Sequence, residues 1–232
     1  MATAPVKVVA LTQHHRGHGV STAAFFLGRA IAEQHVPVLF GDLTGRHARI
    51  SYLNAHFATK KLVTWSPPPL ALRDLPTLLK QARSEIAGKA ACILLDIDEI
   101  SLEAHANTIA TLGIDYLLFA SEYTTEGQKA VEHVAKRYED MLLRNRIGVA
   151  FARVSTDEID ELPQQTNDGL PILGYWPADY RLAMSNEDIS AGASPTDPHQ
   201  AYQVALSLLA NRLIRLVPLT RIERHLAQES TQ

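Results

Sequence analysis

Residues Gln13 to Phe26 read QHHRGHGVSTAAFF and directly follow the apolar run VKVVALT. Gly17 and Gly19 permit tight or left-handed turns, and a helix opening near Ser21 would present free N–H groups and the positive end of its dipole. Together they make the shape of a phosphate-binding loop after the first strand of a nucleotide-binding domain. The lysine of such a loop is missing, because Val20 stands immediately before the hydroxyl pair Ser21 and Thr22. Two carboxylates, Asp42 in GDLTGR and Asp96 in DIDE, end apolar runs where Mg²⁺ ligands or water-orienting groups sit in phosphoryl-transfer sites. Ser21 would add a hydroxyl ligand to Mg²⁺. Asp98 and Glu99 enlarge the acidic group, and Asp96 could instead cap the next helix or pair with a loop cation.

These residues need a scaffold that brings strand ends together. Short β-rich runs alternate with longer amphipathic stretches, the pattern of a mostly parallel sheet covered by helices on both faces. Strands are expected at Val6 to Leu11, Val36 to Gly41, Ala91 to Ile97, Tyr116 to Ser121, Ile147 to Ala152 and Ile172 to Tyr175. Helices are expected at Ser21 to Gln34, Leu72 to Ala87, Leu102 to Leu112, Thr125 to Leu143 and His199 to Val217. The result is a single doubly wound α/β domain over residues 1–218, with a short tail at 219–232. Ligands of such sheets bind beyond the carboxyl ends of the strands, where the loop and both aspartates fall.

In order and spacing these segments resemble the ParA/MinD family of deviant-Walker P-loop ATPases. The resemblance runs through GVSTAAFFLGRAIAEQ, VPVLFGDLTGR, CILLDIDE and the closing segment from LPILGYWPADY to SLLANRL. It implies a nucleotide site formed by Arg16, Gly17, His18, Gly19, Val20, Ser21 and Thr22, with Ser21, Asp42 and Asp96 on Mg²⁺. Asp42 and Asp96 would be the catalytic carboxylates of an active member. Measured against the family pattern, Val20 replaces the lysine that reaches the β and γ phosphates. His15 replaces the family's additional lysine, and Arg16 replaces the first loop glycine. At the end of the fifth strand, Ala152 stands where the family carries an asparagine that reads adenine, and Arg153 follows it.

Losing one charge-assisted hydrogen bond costs about 1.5–3 kcal/mol, roughly a 10- to 150-fold loss of affinity. No cofactor is therefore expected at high affinity, ATP or ADP with Mg²⁺ being the candidates. Arg16 could reach a phosphate if the loop slips by one residue. The resemblance implies a degenerate member that acts as a positioning or recruitment module for a protein partner in a bacterial positioning, secretion or partition system. The alternative is an active ATPase with a loop that lacks lysine. A homodimer is among the expected assemblies.

Composition narrows the remaining choices. Of 232 residues, 46% are hydrophobic and 20% charged, and the formal net charge of -3 gives no global attraction to nucleic acid or to an anionic membrane. Arg212, Arg215, Arg221 and Arg224 could form a local basic strip for DNA, although Glu223 lies among them. Leu219, Ile222 and Leu226 echo the terminal membrane helix of MinD-like members, with packing on a partner as the competing reading. The trio His14, His15 and His18 has spacing that could serve zinc, but on a glycine-containing loop a solvated role competes. A single cysteine, Cys92, allows no intrachain disulfide. No run approaches the roughly 20 apolar residues of a membrane span, and the chain reads as cytoplasmic.

Overall fold

A computed structural model describes residues 6–13, 19–44, 47–57, 59–65, 76–77, 79–80, 82, 92–98, 113–139, 145–155, 163–179, 182 and 197–217. Seven strands form one sheet: β1 Lys7–Gln13, β2 Val38–Asp42, β3 Leu62–Trp65, β4 Cys92–Asp96, β5 Tyr116–Glu122, β6 Ile147–Ala152 and β7 Ile172–Trp176. Their spatial order is β3-β2-β4-β1-β5-β6-β7, and every pairing is parallel. Four helices are described: α1 Val20–Glu33, α2 His47–Phe57, α3 Thr125–Arg137 and α4 Gln200–Leu216.

The inner strands are apolar runs because helices cover both faces of a parallel sheet. Successive side chains alternate between those faces. Val9 and Leu11 join Phe25, Phe26 and Ile31 of α1 and Leu209 and Leu213 of α4 in one core. Val8 and Ala10 join Ile93, Phe119 and the Val131 and Val134 pair of α3 in the other. Burying one such Phe or Leu side chain contributes about 1.5–3 kcal/mol. At the amino ends of the strands, Asp115 accepts from the N–H of Val8 at 2.9 Å and lies 3.5 Å from Lys7 Nζ. The loops at the opposite ends are left to build the site.

The six expected strands are present with no end shifted by more than two residues, and Ile147–Ala152 has the expected bounds; the first and last expected helices are present too. The helix expected at Thr125 to Leu143 is described as α3 to Arg137, and residues 140–144 lie outside the described residues. So do the helix expected at Leu102 to Leu112 and most of that expected at Leu72 to Ala87, of which Leu79 and Ala82 are buried. Two elements go beyond the sequence reading, α2 and β3. The helix α2 carries Ile50, Leu53 and Phe57 into the core, a sparse stripe at helical spacing. In β3, Leu62 is buried and Val63 exposed, and the strand extends the sheet beside β2.

Candidate functional site

The order of the sheet fixes where a ligand can sit. The chain runs from β1 toward β2, β3 and β4 on one side and then crosses to β5, β6 and β7 on the other, so the crevice opens at the carboxyl end of β1. There Gly19 is the N-cap of α1, with φ 73° and ψ 13°, a left-handed conformation suited to glycine. The first helical hydrogen bond runs from Ala23 N–H to the Gly19 carbonyl at 2.9 Å. Gly19 offers no side-chain cap, and the first turn has no acidic residue. The N–H groups of such a first turn have no partner within the helix and attract anions.

Val20 opens the helix and is 1% exposed, packed into the core cluster beneath α1. Ser21 and Thr22 are also buried. Arg16, Gly17 and His18, together with His14 and His15, lie outside the described residues. Among the described residues no group of three His, Cys, Asp or Glu side chains could hold a metal ion.

The two aspartates meet as neighbours. Asp42 ends β2, Asp96 ends β4, and the two are direct partners in the parallel ladder, both fully buried. Thr44 folds back onto Asp42, donating to Oδ1 from its backbone N–H at 2.9 Å and from its hydroxyl at 2.7 Å. Two carboxylates on adjacent strand ends can share one cation. Carboxylate oxygens are donors that suit Mg²⁺.

Three features were missed by the sequence reading. Arg49 of α2 donates from Nε to Thr22 Oγ1 at 3.0 Å and from Nη2 to the Leu182 carbonyl at 2.6 Å. One guanidinium thus ties the first turn of α1 to α2 and to the segment that follows β7. Tyr202 of α4 lies in the same neighbourhood. Burial pushes its hydroxyl well above the ordinary tyrosine range and Asp179 adds to the shift, while Arg49 opposes it. Thr12 Oγ1 and Gln13 Oε1, buried at the end of β1, find no hydrogen-bond partner among the described residues. Only Thr12 and Gln13 had a visible signal, as polar residues closing an apolar run.

On the other side of the crevice, Ala152 ends β6 and is buried. Arg153 follows with φ 59°, an unusual conformation for a non-glycine residue, and its guanidinium meets Glu122 at 3.1 Å. Arg212, from the supposed basic strip, donates to the Leu173 carbonyl at 2.7 Å. Arg215 is exposed on α4, and Arg221 and Arg224 lie outside the described residues.

No protein-family model matches the sequence, and comparison with curated proteins gives no match. Solved structures do match. MinD cell division protein of Aquifex aeolicus superposes with a TM-score of 0.66 at 17% identity, covering 93% of this chain and all of that one. The fold is that of MinD and the ParA-type partition proteins. A plasmid partition protein of Borrelia burgdorferi bound to AMPPNP gives a TM-score of 0.64 at 14% identity, over 90% of this chain and 99% of the other. MinD of Pyrococcus horikoshii complexed with Mg-ADP gives 0.57 at 15% identity, over 91% and 97%. The MinD/ParA-type architecture therefore extends over nearly the whole chain. Among the described residues no helix is long and apolar enough to cross a membrane.

Proposed function

We propose that the protein is a MinD/ParA-like positioning or recruitment module, binding a protein partner in the cytoplasm and holding ATP or ADP weakly or not at all. The observation that carries this reading is Val20, an apolar side chain sunk in the core where the resembling loop has its phosphate-binding lysine. Ala152 adds to it, offering no hydrogen-bonding side chain at the base-reading position. What remains for a nucleotide is the backbone start of α1, the hydroxyls of Ser21 and Thr22, and the carboxylates of Asp42 and Asp96. Ser21, Asp42 and Asp96 would hold Mg²⁺, which supplies charge neutralisation at the phosphates when bound. Residues 1–218 would form the binding domain and 219–232 an accessory tail.

Titration calorimetry with Mg·ATP at millimolar concentration is expected to give no binding or weak binding, with turnover near background. Micromolar affinity with γ-phosphate release would overturn the reading. Val20→Lys is expected to raise affinity by roughly 10- to 150-fold if the loop backbone still fits phosphate. The same variant should melt at lower temperature, since it puts an ammonium into an apolar core.

One observation favours the second reading, an ATPase that binds phosphate without the lysine: Arg49 brings a cation to Thr22. Under that reading Arg49→Ala abolishes a measurable Mg·ATP affinity and Arg49→Lys keeps part of it. If Arg49→Ala leaves the affinity of the parent protein unchanged, the second reading fails.

A further inference from the structure

The helix α3, the end of β6 and the hairpin leading into β7 line an open cavity of about 100 Å³ on the α3 side of the sheet. Its apolar lining comes from Val131, Phe151 and Ile172, and Tyr123 packs edge-on against Phe151 with ring centroids 5.1 Å apart. Glu132 of α3 and Asp168 of the hairpin bring two carboxylates to the same cavity, and no lysine, arginine or histidine lines it among the described residues. The basic residues of α3, Lys129, Lys136 and Arg137, are exposed and stand outside the lining.

The hairpin presents Asp168 on a stiff frame. Gln165 and Pro171 form an antiparallel bridge, Thr166 N–H bonds the Leu170 carbonyl at 2.9 Å, and Leu170 N–H bonds Thr166 Oγ1 at 3.0 Å. Gly169 takes φ 80° to close the turn. Its backbone groups are therefore largely satisfied within the turn, whereas Asp168 Oδ2 is buried with no hydrogen-bond partner among the described residues. A donor from outside would supply the hydrogen bond that this acceptor lacks among the described residues.

The lining selects one kind of occupant. An aliphatic stem suits Val131, Phe151 and Ile172, and a cationic head suits the two carboxylates beside aromatic rings. The volume is well below the roughly 300–1,000 Å³ of sites that enclose whole small molecules, so it suits a single side chain. Side-chain amides of Gln165 and Asn167 on the same wall can meet the peptide groups that flank such a residue. We propose that this cavity receives a lysine side chain from a segment of a protein partner. The assignment stands whether or not nucleotide binds at α1.

The test uses the full-length protein, with amide NMR spectra and calorimetry, and acetyl-Ala-Lys-Ala-amide as the probe. Saturable shifts are expected at residues 123–132 and 165–172. Glu132→Gln and Asp168→Asn should each weaken binding about tenfold. Asn is equally suited to the turn, so thermal melts of these variants should match the parent protein. The proposal is overturned if no saturable shift occurs or if both variants bind as the parent does. It is equally overturned if acetyl-Ala-Glu-Ala-amide binds as well, or if n-butylammonium matches the peptide, which would make the cavity a site for free amines.

Discussion

Two helices start at the same end of the sheet, α1 after β1 and α3 after β5, and they start in opposite ways. The start of α3 is closed from within. Thr124 accepts the Gly127 N–H at 3.1 Å, Glu126 lies in the first turn, and Ser121 Oγ donates to the Gly127 carbonyl at 3.1 Å. The start of α1 has a glycine as its cap residue, which brings no side chain to it, and no acid in its first turn. One helix end is self-sufficient, and the other keeps the backbone arrangement that an anion can use. Backbone geometry and side-chain charge are separate contributions to anion binding at such an end, and the two have to be tested separately.

The glycines at these starts give the largest expected contrast. A Cβ at Gly127 would stand 2.0 Å from the Glu122 carbonyl oxygen, so Gly127→Ala forces α3 away from β5 and should cost about 3 kcal/mol in chemical denaturation. At Gly19 a Cβ meets nothing within 4 Å, and only the positive φ opposes it. Gly19→Ala should therefore cost about 1–2 kcal/mol. Equal losses at the two sites would break the comparison. Thr124→Ala comes next, at about 1 kcal/mol from the lost cap; no change on that substitution would mean that α3 does not depend on its cap.

Alkali acts on the sheet beneath both helices and should weaken both helix starts alike. Burial pushes the Cys92 thiol of β4 up from 9.0 to about 12, with Asp115 adding to the shift, and burial alone raises the Tyr116 hydroxyl of β5. The folded state keeps the thiol protonated while the unfolded chain ionises it near pH 9. Its contribution is complete below that pH and is lost progressively as pH rises toward 12. Melting temperature should fall between pH 9 and 10.5, and the fall should be shallower in Cys92→Ala. An equally steep fall in that variant would place the alkaline sensitivity elsewhere.

What could be read in the sequence follows from how each element is held. The six expected strands are visible because burial on both faces demands unbroken apolar runs such as CILLD and YLLFA. The helix α2 was missed because, among its described side chains, HARISYLNAHF buries Ile50, Leu53 and Phe57 alone, with polar residues between them, and β3 because four residues are too short a run to carry alternation. At the site, the meeting of Asp42 and Asp96 was legible, since both end strands of one parallel sheet. The role of Arg49 was not, because its partners stand 27 and 133 positions away in the chain. Nothing local in TGRHARIS distinguishes that arginine from a solvated one.

That strap also has a kinetic meaning. A contact between residues 49 and 182 forms only after the chain has closed a very long loop and both halves of the sheet have docked, and non-local contacts of this kind are slow to gain. The rim of the crevice should accordingly be the last part of the molecule to assemble and among the first to open. Amide exchange at α2 and after β7 would then report one shared opening rather than two.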